Sequence, residues 1–266
     1  MTDPTQPNAG HASASGRTPL AFVRHDGAVW RREYAKELDA ALRNLDALEQ
    51  VAVGGRGVLW RFNYREGAAL IRRYRRGGAA ASFMPRDFLL VNRPLAELRA
   101  HHHAYRQGIP VAEPLGAVWG HPARGRREGF YVSRELEGVS LLEALARRPE
   151  QAEPLLEEAG RVIRVMHGAG VYHGDLNGAN VFIDKTDLAY VLDFDKAYVE
   201  QPLKTAKRAR NLLRFRRSLS KNGHGAEAFE WVLAGYGGLE WSPWLDRCYR
   251  LRGVVSDRLS GRSGPV

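Results

Sequence analysis

Apolar residues along the first half of the chain are grouped in short bursts, and in the second half they shift to a helical spacing. The segments AFVRHDGAVW (21–30), VAVGGRGVLWRFNY (51–64), EGAALIRRYRRGG (66–78), GAVWG (116–120) and GFYVSREL (129–136) are rich in Val, Phe, Trp, Leu and Ile and are broken by glycine. That texture predicts strands joined by tight turns. Two helices interrupt it. One lies near residues 34–48. The other covers RPLAELRAHHHAYRQG, where Leu95, Leu98 and Tyr105 share a face and Gly108 ends the run. From Leu141 the period becomes 3.6, and Leu155, Leu156, Ala159, Val162, Ile163 and Met166 make one stripe that stops at Gly168 and Gly170. VFID and AYVLDF return briefly to strand, and the rest predicts mostly helix. The change of texture divides the chain into a strand-rich lobe over 19–137 and a helical lobe over 138–258, with polar tails at 1–18 and 259–266. The fold class is α+β with two lobes.

Composition narrows the setting. With 44% apolar and 26% charged residues in 266, the chain has an ordinary globular balance. A single cysteine, Cys248, cannot bridge within the chain and points to a reducing compartment. No apolar run is long enough to span a bilayer, and the N-terminus lacks the apolar stretch of a signal peptide, so a cytoplasmic protein is expected. The net charge of +10 is concentrated. Lys204, Lys207, Arg208, Arg210, Arg214, Arg216, Arg217 and Lys221 fall in one stretch without an acid. Such a segment calls for an anionic partner: nucleic acid, a phosphorylated substrate or an acidic membrane. Leu203, Leu212, Leu213, Phe215 and Leu219 give it an apolar face, which either meets a membrane or packs on the core.

Chemistry concentrates in YHGDLNGANVFID and AYVLDFDK, which resemble the protein-kinase catalytic loop H-x-D-x-x-x-x-N and the metal-binding D-F-G segment. Phosphoryl transfer needs a carboxylate to orient the acceptor hydroxyl and oxygen ligands for Mg²⁺ on the nucleotide phosphates. Asp175 suits the first role, and Asn180 with Asp193 the second. His173 is expected to brace the loop. Upstream, Gly54, Gly55 and Gly57 form a turn between strands that could cover phosphates. ALIRRY places Arg72 where kinases carry lysine, with Arg73 on the opposite strand face. Glu97 on the next helix is the candidate partner of Arg72. Glu135, within REL, lies where backbone groups of an interlobe hinge would hold adenine. The triple histidine His101–His103 reads as a solvated helix face, because consecutive helix residues diverge by about 100° and cannot share one ion.

LIRRYRRGG, HGDLNGANVFID, VLDFDK and the basic NLLRFRRSLSK together resemble the 3-deoxy-D-manno-octulosonic acid (Kdo) kinases of the lipopolysaccharide kinase group, over roughly Val51 to Lys221. The resemblance implies a two-lobed protein-kinase-like fold, ATP and Mg²⁺ as cofactors, and phosphorylation of the 4-hydroxyl of a Kdo sugar on lipid A. It further implies residence at the cytoplasmic face of the inner membrane, with an anionic glycolipid rather than nucleic acid as partner. A heptose kinase of the lipopolysaccharide core, a small-molecule kinase of the aminoglycoside or choline type, and a catalytically inactive kinase-like lipid-binding module are the rival readings. Arg72 in place of lysine and DFD in place of DFG motivate the last.

Overall fold

A computed structural model describes residues 20–25, 27–52, 58–74, 92–120 and 128–237. The two polar tails, the glycine turn carrying Gly54, Gly55 and Gly57, the Gly77–Gly78 turn and Cys248 lie outside the described residues.

The strand texture builds one antiparallel sheet of seven strands: β1 (Phe22–His25), β2 (Ala28–Arg31), β3 (Glu49–Ala52), β4 (Val58–Tyr64), β5 (Gly67–Arg73), β6 (Pro114–Trp119) and β7 (Gly129–Arg134). Their order is β1-β2-β6-β7-β5-β4-β3. Alternation along each strand gives the sheet two faces. One face, with Trp30, Phe62, Tyr64, Ile71, Leu115, Phe130 and Val132, closes over helix α1 (Ala35–Arg43) through Leu38 and Leu42. The opposite face carries Tyr74, Ala117 and Tyr131, which pack on Leu98 of helix α2 (Arg93–Arg106). Helix α2 starts where Asn92 accepts a hydrogen bond from the Leu95 N–H at 3.1 Å, with Pro94 in the first turn. Its far end, at Ala100 and Ala104, belongs to the core of the second lobe. One helix thus touches both lobes.

The second lobe begins with β8 (Gly138–Ser140) and α3 (Leu141–Arg147). Ser140 caps α3 by accepting the Glu143 N–H at 3.3 Å, in a Ser-x-x-Glu signature. Then follow α4 (Ala152–Gly168), β9 (Val171–Tyr172), β10 (Val181–Asp184), β11 (Ala189–Val191), β12 (Tyr198–Val199), α5 (Thr205–Lys221) and α6 (Ala226–Tyr236). Strands β11-β10-β8 form a small sheet and β12-β9 a second one. The stripe expected on α4 is buried throughout and packs against Phe229 and Val232 of α6. The lobes are also stitched by backbone. Val191 N–H donates to Pro110 carbonyl at 2.9 Å, and Val111 bridges Val191.

The apolar residues of the basic segment have their place here. Leu203, Leu212, Leu213, Phe215 and Leu219 are all buried, and Leu212, Phe215 and Leu219 belong to the main core. That face is therefore not offered to a membrane. Burying five large apolar side chains in the protein stabilises the lobe, and it leaves the cations of α5 as the outer surface.

Helices α4 and α6 approach so closely because Gly160 and Gly235 sit at the crossing. A Cβ at Gly160 would collide with the Val232 carbonyl, and one at Gly235 with the Glu157 carbonyl. Gly160→Ala should therefore push the helices apart and lower stability by about 1–3 kcal/mol. Gly168→Ala, on the same helix but with open space around it, should be neutral or stabilising by up to about 1 kcal/mol. Urea unfolding of both variants checks this. Equal stability of the two would mean that α4 and α6 do not depend on the close crossing.

Candidate active site

Between the large sheet and the small one lies a cavity of about 320 Å³. Leu59 and Leu70 line it from β4 and β5, and Val139, Phe182 and Leu192 from the second lobe. These apolar walls suit a flat heterocycle. Glu135 also lines the cleft, but its N–H donates to the Ala68 carbonyl at 2.9 Å and its carboxylate accepts from Arg61 Nε at 2.7 Å. The N–H and the side chain of Glu135 are thus both engaged within the fold.

Strand alternation sends Ile71 into the sheet core and turns Arg72 and Tyr74 together toward α2. Arg72 Nη2 donates to both carboxylate oxygens of Glu97 at 2.6 Å, and the Tyr74 hydroxyl donates to the same carboxylate. Glu97 is only 2% exposed. Burial pushes its carboxyl up to about 7, while the Arg72 guanidinium and the Tyr74 hydroxyl favour the ionised form. Arg72 reaches onward: its Nη1 lies 3.3 Å from Asp193 Oδ1. The guanidinium fork thus joins two carboxylates, which a lysine ammonium cannot do with fixed geometry. Arg73 turns away and pairs with Glu128 near the surface.

Asp193 has a left-handed backbone, φ 66°. Aspartate tolerates that region better than most residues, and strained conformers of this sort gather at functional sites. The loop before it is held by His173. Its Nδ1 accepts the Asp175 N–H at 3.2 Å and its Nε2 donates to the Leu192 carbonyl at 2.9 Å. Asn180 Nδ2 donates to the Asp175 carbonyl at 2.9 Å, and the Asn180 carbonyl accepts from Leu192 N–H at 2.9 Å. Asp175, Asn180 and Asp193 are thereby gathered on one short backbone network. The amide nitrogen of Asn180 is thus committed to the loop, which leaves metal coordination by this side chain to its oxygen. That oxygen and the Asp193 carboxylate are hard donors of the type Mg²⁺ uses beside nucleotide phosphates, so the residues fit that ion.

Helix α5 braces the loop from behind. Asn211, Arg214 and Ser218 fall on one helical face. Asn211, fully buried, accepts the His173 N–H at 3.1 Å and donates to the His173 carbonyl at 2.7 Å. Its oxygen also accepts from His167 Nε2 at 3.1 Å, while His167 Nδ1 accepts from the Tyr236 hydroxyl at 2.9 Å. Burial keeps His167 neutral, with its pKa lowered to about 4. Ser218 Oγ accepts the Gly178 N–H at 3.1 Å, and Arg214 Nη1 donates to Asp175 Oδ1 at 2.8 Å.

The histidine run is not a solvated face. His101 is 4% exposed and stacks on Phe194, rings 4.6 Å apart and 7° from parallel, while its Nδ1 meets the Tyr131 hydroxyl at 2.7 Å. His102 packs edge-on to Phe22, and His103 Nε2 lies 2.9 Å from the Ala169 carbonyl. The reason is the position of α2, wedged between the sheet and the second lobe, which leaves little of its circumference to water. Among the described residues no cluster of three or more His, Cys, Asp or Glu could hold a metal ion.

Asp195, standing where D-F-G has glycine, also has a partner the linear pattern did not suggest. It takes both Nε and Nη2 of Arg93, the first residue of α2, in a two-pronged ion pair. The same carboxylate end of the DFD segment that follows Asp193 is therefore tied to the helix that carries Glu97.

Comparison with known proteins follows this geometry. Residues 45–236 match the model of the lipopolysaccharide kinase (Kdo/WaaP) family. A 3-deoxy-D-manno-octulosonic acid kinase of Xanthomonas campestris pv. campestris (strain B100) is 34% identical over 213 residues, which cover 77% of this chain and 84% of that protein. Its counterpart in Stenotrophomonas maltophilia (strain R551-3) is 35% identical over the same shares. Among solved structures, WaaP in complex with acyl carrier protein aligns with a TM-score of 0.56 at 16% identity, covering 84% of this chain and 98% of that one. The last likeness bears on fold alone, and it agrees with the two-lobed kinase-like architecture.

If the Arg93–Asp195 pair holds α2 in its working position, Arg93→Ala and Asp195→Gly should each reduce kcat/KM about tenfold, and Arg93→Ala, which strands a carboxylate only 12% exposed, should cost more stability than Asp195→Gly. The double variant should lose no more than either single one. Steady-state kinetics of the three variants checks this, and independent, multiplying losses would mean that the two residues do not act as a pair.

Proposed function

The chain belongs to the lipopolysaccharide kinase (Kdo/WaaP) family, and from that premise we propose that it transfers the γ-phosphoryl group of ATP to a hydroxyl of Kdo during assembly of the lipopolysaccharide core. It is a phosphotransferase acting on a sugar hydroxyl. The supporting observation is the gathering of Asp175, Asn180 and Asp193 on one network, in a chain about one-third identical to proteins named Kdo kinase. The resemblance of the loop motifs extends the reading to the 4-hydroxyl of Kdo on lipid A.

In this reading adenine enters between Leu59 and Leu70 above and Phe182 and Leu192 below. Arg72, held by Glu97, offers its guanidinium to phosphate oxygens. Asn180 and Asp193 would hold Mg²⁺, which when bound neutralises charge on the phosphates. Asp175 accepts the hydrogen bond of the acceptor hydroxyl, aims its oxygen and takes its proton as the bond to phosphorus forms. His173 keeps the loop rigid through two backbone contacts, and Asn211 keeps His173 in place.

No helix among the described residues is long and apolar enough to cross a membrane. With the apolar face of α5 buried, association with an anionic inner-membrane surface would rest on charge alone. The exposed side chains of Lys204, Arg210 and Lys221 would supply it, at about 1 kcal/mol each near an acidic surface.

Asp175→Ala should lower turnover about 10²–10⁴-fold while leaving nucleotide binding intact. Asp193→Asn, by contrast, should raise the Mg²⁺ concentration required for half-maximal rate, because a full negative charge leaves the ion site. Incubation with ATP and Kdo-lipid A, followed by mass spectrometry of the product, reads both. Wild-type turnover by a folded Asp175→Ala variant would remove this residue from the chemistry.

A further inference from the structure

The loop between Asp175 and Asn180, with sequence Leu-Asn-Gly-Ala, carries no charge, and yet Asp175 has a cation against it. That cation comes from a distant element. Arg214 on α5 donates to Asp175 Oδ1 at 2.8 Å, and the two side chains are 47% and 45% exposed. The other members of the same helical face, Asn211 and Ser218, are spent on fixing loop backbone. Arg214 does not hold backbone. Its side chain is half exposed, long and flexible, and its guanidinium is held by a carboxylate that is itself half exposed. Arg210 and Lys221 extend its stripe one turn toward the N-terminus and two turns toward the C-terminus, so the local field is positive for several residues along the helix.

An ion pair that engages the acceptor-orienting carboxylate would compete with the acceptor hydroxyl unless something else claims the guanidinium. The acceptor in our reading is a sugar acid, and its carboxylate lies a few bonds from the hydroxyl to be phosphorylated. We propose that Arg214 is the acceptor-recognition residue of this enzyme. It parks on Asp175 when the site is empty and transfers to the carboxylate of the incoming sugar, freeing Asp175 for the hydroxyl. A planar guanidinium matches a carboxylate with two parallel hydrogen bonds, so the exchange replaces one partly exposed pair by a stronger and more directional one. It would also discriminate. A neutral sugar leaves Arg214 on Asp175 and the orienting carboxylate occupied, which selects against non-acidic acceptors without any steric barrier. This inference rests on the acceptor assignment made above and adds the group that reads it.

The test compares wild type, Arg214→Gln and Arg214→Lys on free Kdo and on its methyl ester, which keeps the hydroxyls and removes the negative charge. Calorimetry measures binding without turnover, and coupled kinetics with ATP measures transfer. Arg214→Gln should weaken binding of the acid and raise its KM by about tenfold or more, leave the KM for ATP unchanged, and bind and phosphorylate the ester at least as well as wild type does, because Asp175 is then unoccupied. Arg214→Lys should recover part of the loss, which also shows that the position tolerates change without unfolding. Equal losses for acid and ester, or a loss confined to ATP, would overturn the proposal and leave Arg214 as a partner of Asp175 or of the nucleotide. Wild-type transfer to Kdo that is indifferent to Arg214 would likewise end it while sparing the kinase reading. Arg214-dependent binding of the acid without transfer would do the opposite. Failure of wild type to bind the acid at all would sink both.

Discussion

The charged network of the cleft is organised around one guanidinium. Arg72 is the only contact through which the sheet of the first lobe, the helix α2 and the DFD segment of the second lobe meet in a single ion network among the described residues, with Glu97 on one side and Asp193 on the other. Glu97 could not remain in its position without it. A carboxylate removed so fully from water costs several kcal/mol unless a cation and further donors compensate, and here Arg72 and the Tyr74 hydroxyl do so. The rings of Tyr74 and Tyr131 flank the guanidinium at 5.0 and 5.9 Å, which adds cation–π attraction and screens the pair from solvent. Arginine in the usual lysine position is therefore part of an assembled ion network rather than a dismantled one.

The second lobe applies a similar economy to the catalytic loop. Helix α5 buries its leucines and Phe215 in the core and turns Asn211, Arg214 and Ser218 to the loop. Asn211 sits fully buried with both its amide groups used, so its loss would strand donors and acceptors on His173 and His167 at once. An aromatic cluster of His101, Phe194 and His173 continues the connection, with His101 stacked on Phe194 and His173 tilted against it. Phe194 lies 4.6 Å from the ring of His101 on α2 and 5.7 Å from that of His173 in the loop. Loop, DFD segment and helix are thus coupled by packing as well as by charge.

Much of this was legible in the sequence because the carriers are local. The order of strands, the helical stripe from Leu155 to Met166 and the spacing of Asp175, Asn180 and Asp193 all follow from short-range pattern, and the structure places them in that order. The Arg72–Glu97 pair was legible as a candidate, but strand alternation only sends Arg72 and Arg73 to opposite faces, and it is the packing of α2 on the sheet that selects Arg72. What failed to show was long-range. The histidine run reads as solvated because its polarity is visible and the two surfaces closing on α2 are not. The leucines of α5 read equally well as a membrane face or a core face, and only tertiary packing decides. Asp195 reads as a lost glycine until Arg93, 102 residues away, supplies its partner. Arg214 reads as one base among eight, and its contact with Asp175 spans 39 residues.

The measurement that bears most directly on this account is a double-mutant cycle on Arg72 and Glu97. Steady-state kcat/KM for ATP would be determined for wild type, Arg72→Gln, Glu97→Gln and the double variant. If Glu97 acts by holding Arg72 on the phosphates and Asp193, the double variant should be scarcely worse than Arg72→Gln alone, with a coupling energy of about 1.5–3 kcal/mol. Losses that add to within about 0.5 kcal/mol would mean that the two residues act independently, and Arg72 would no longer be the interaction on which the site is built.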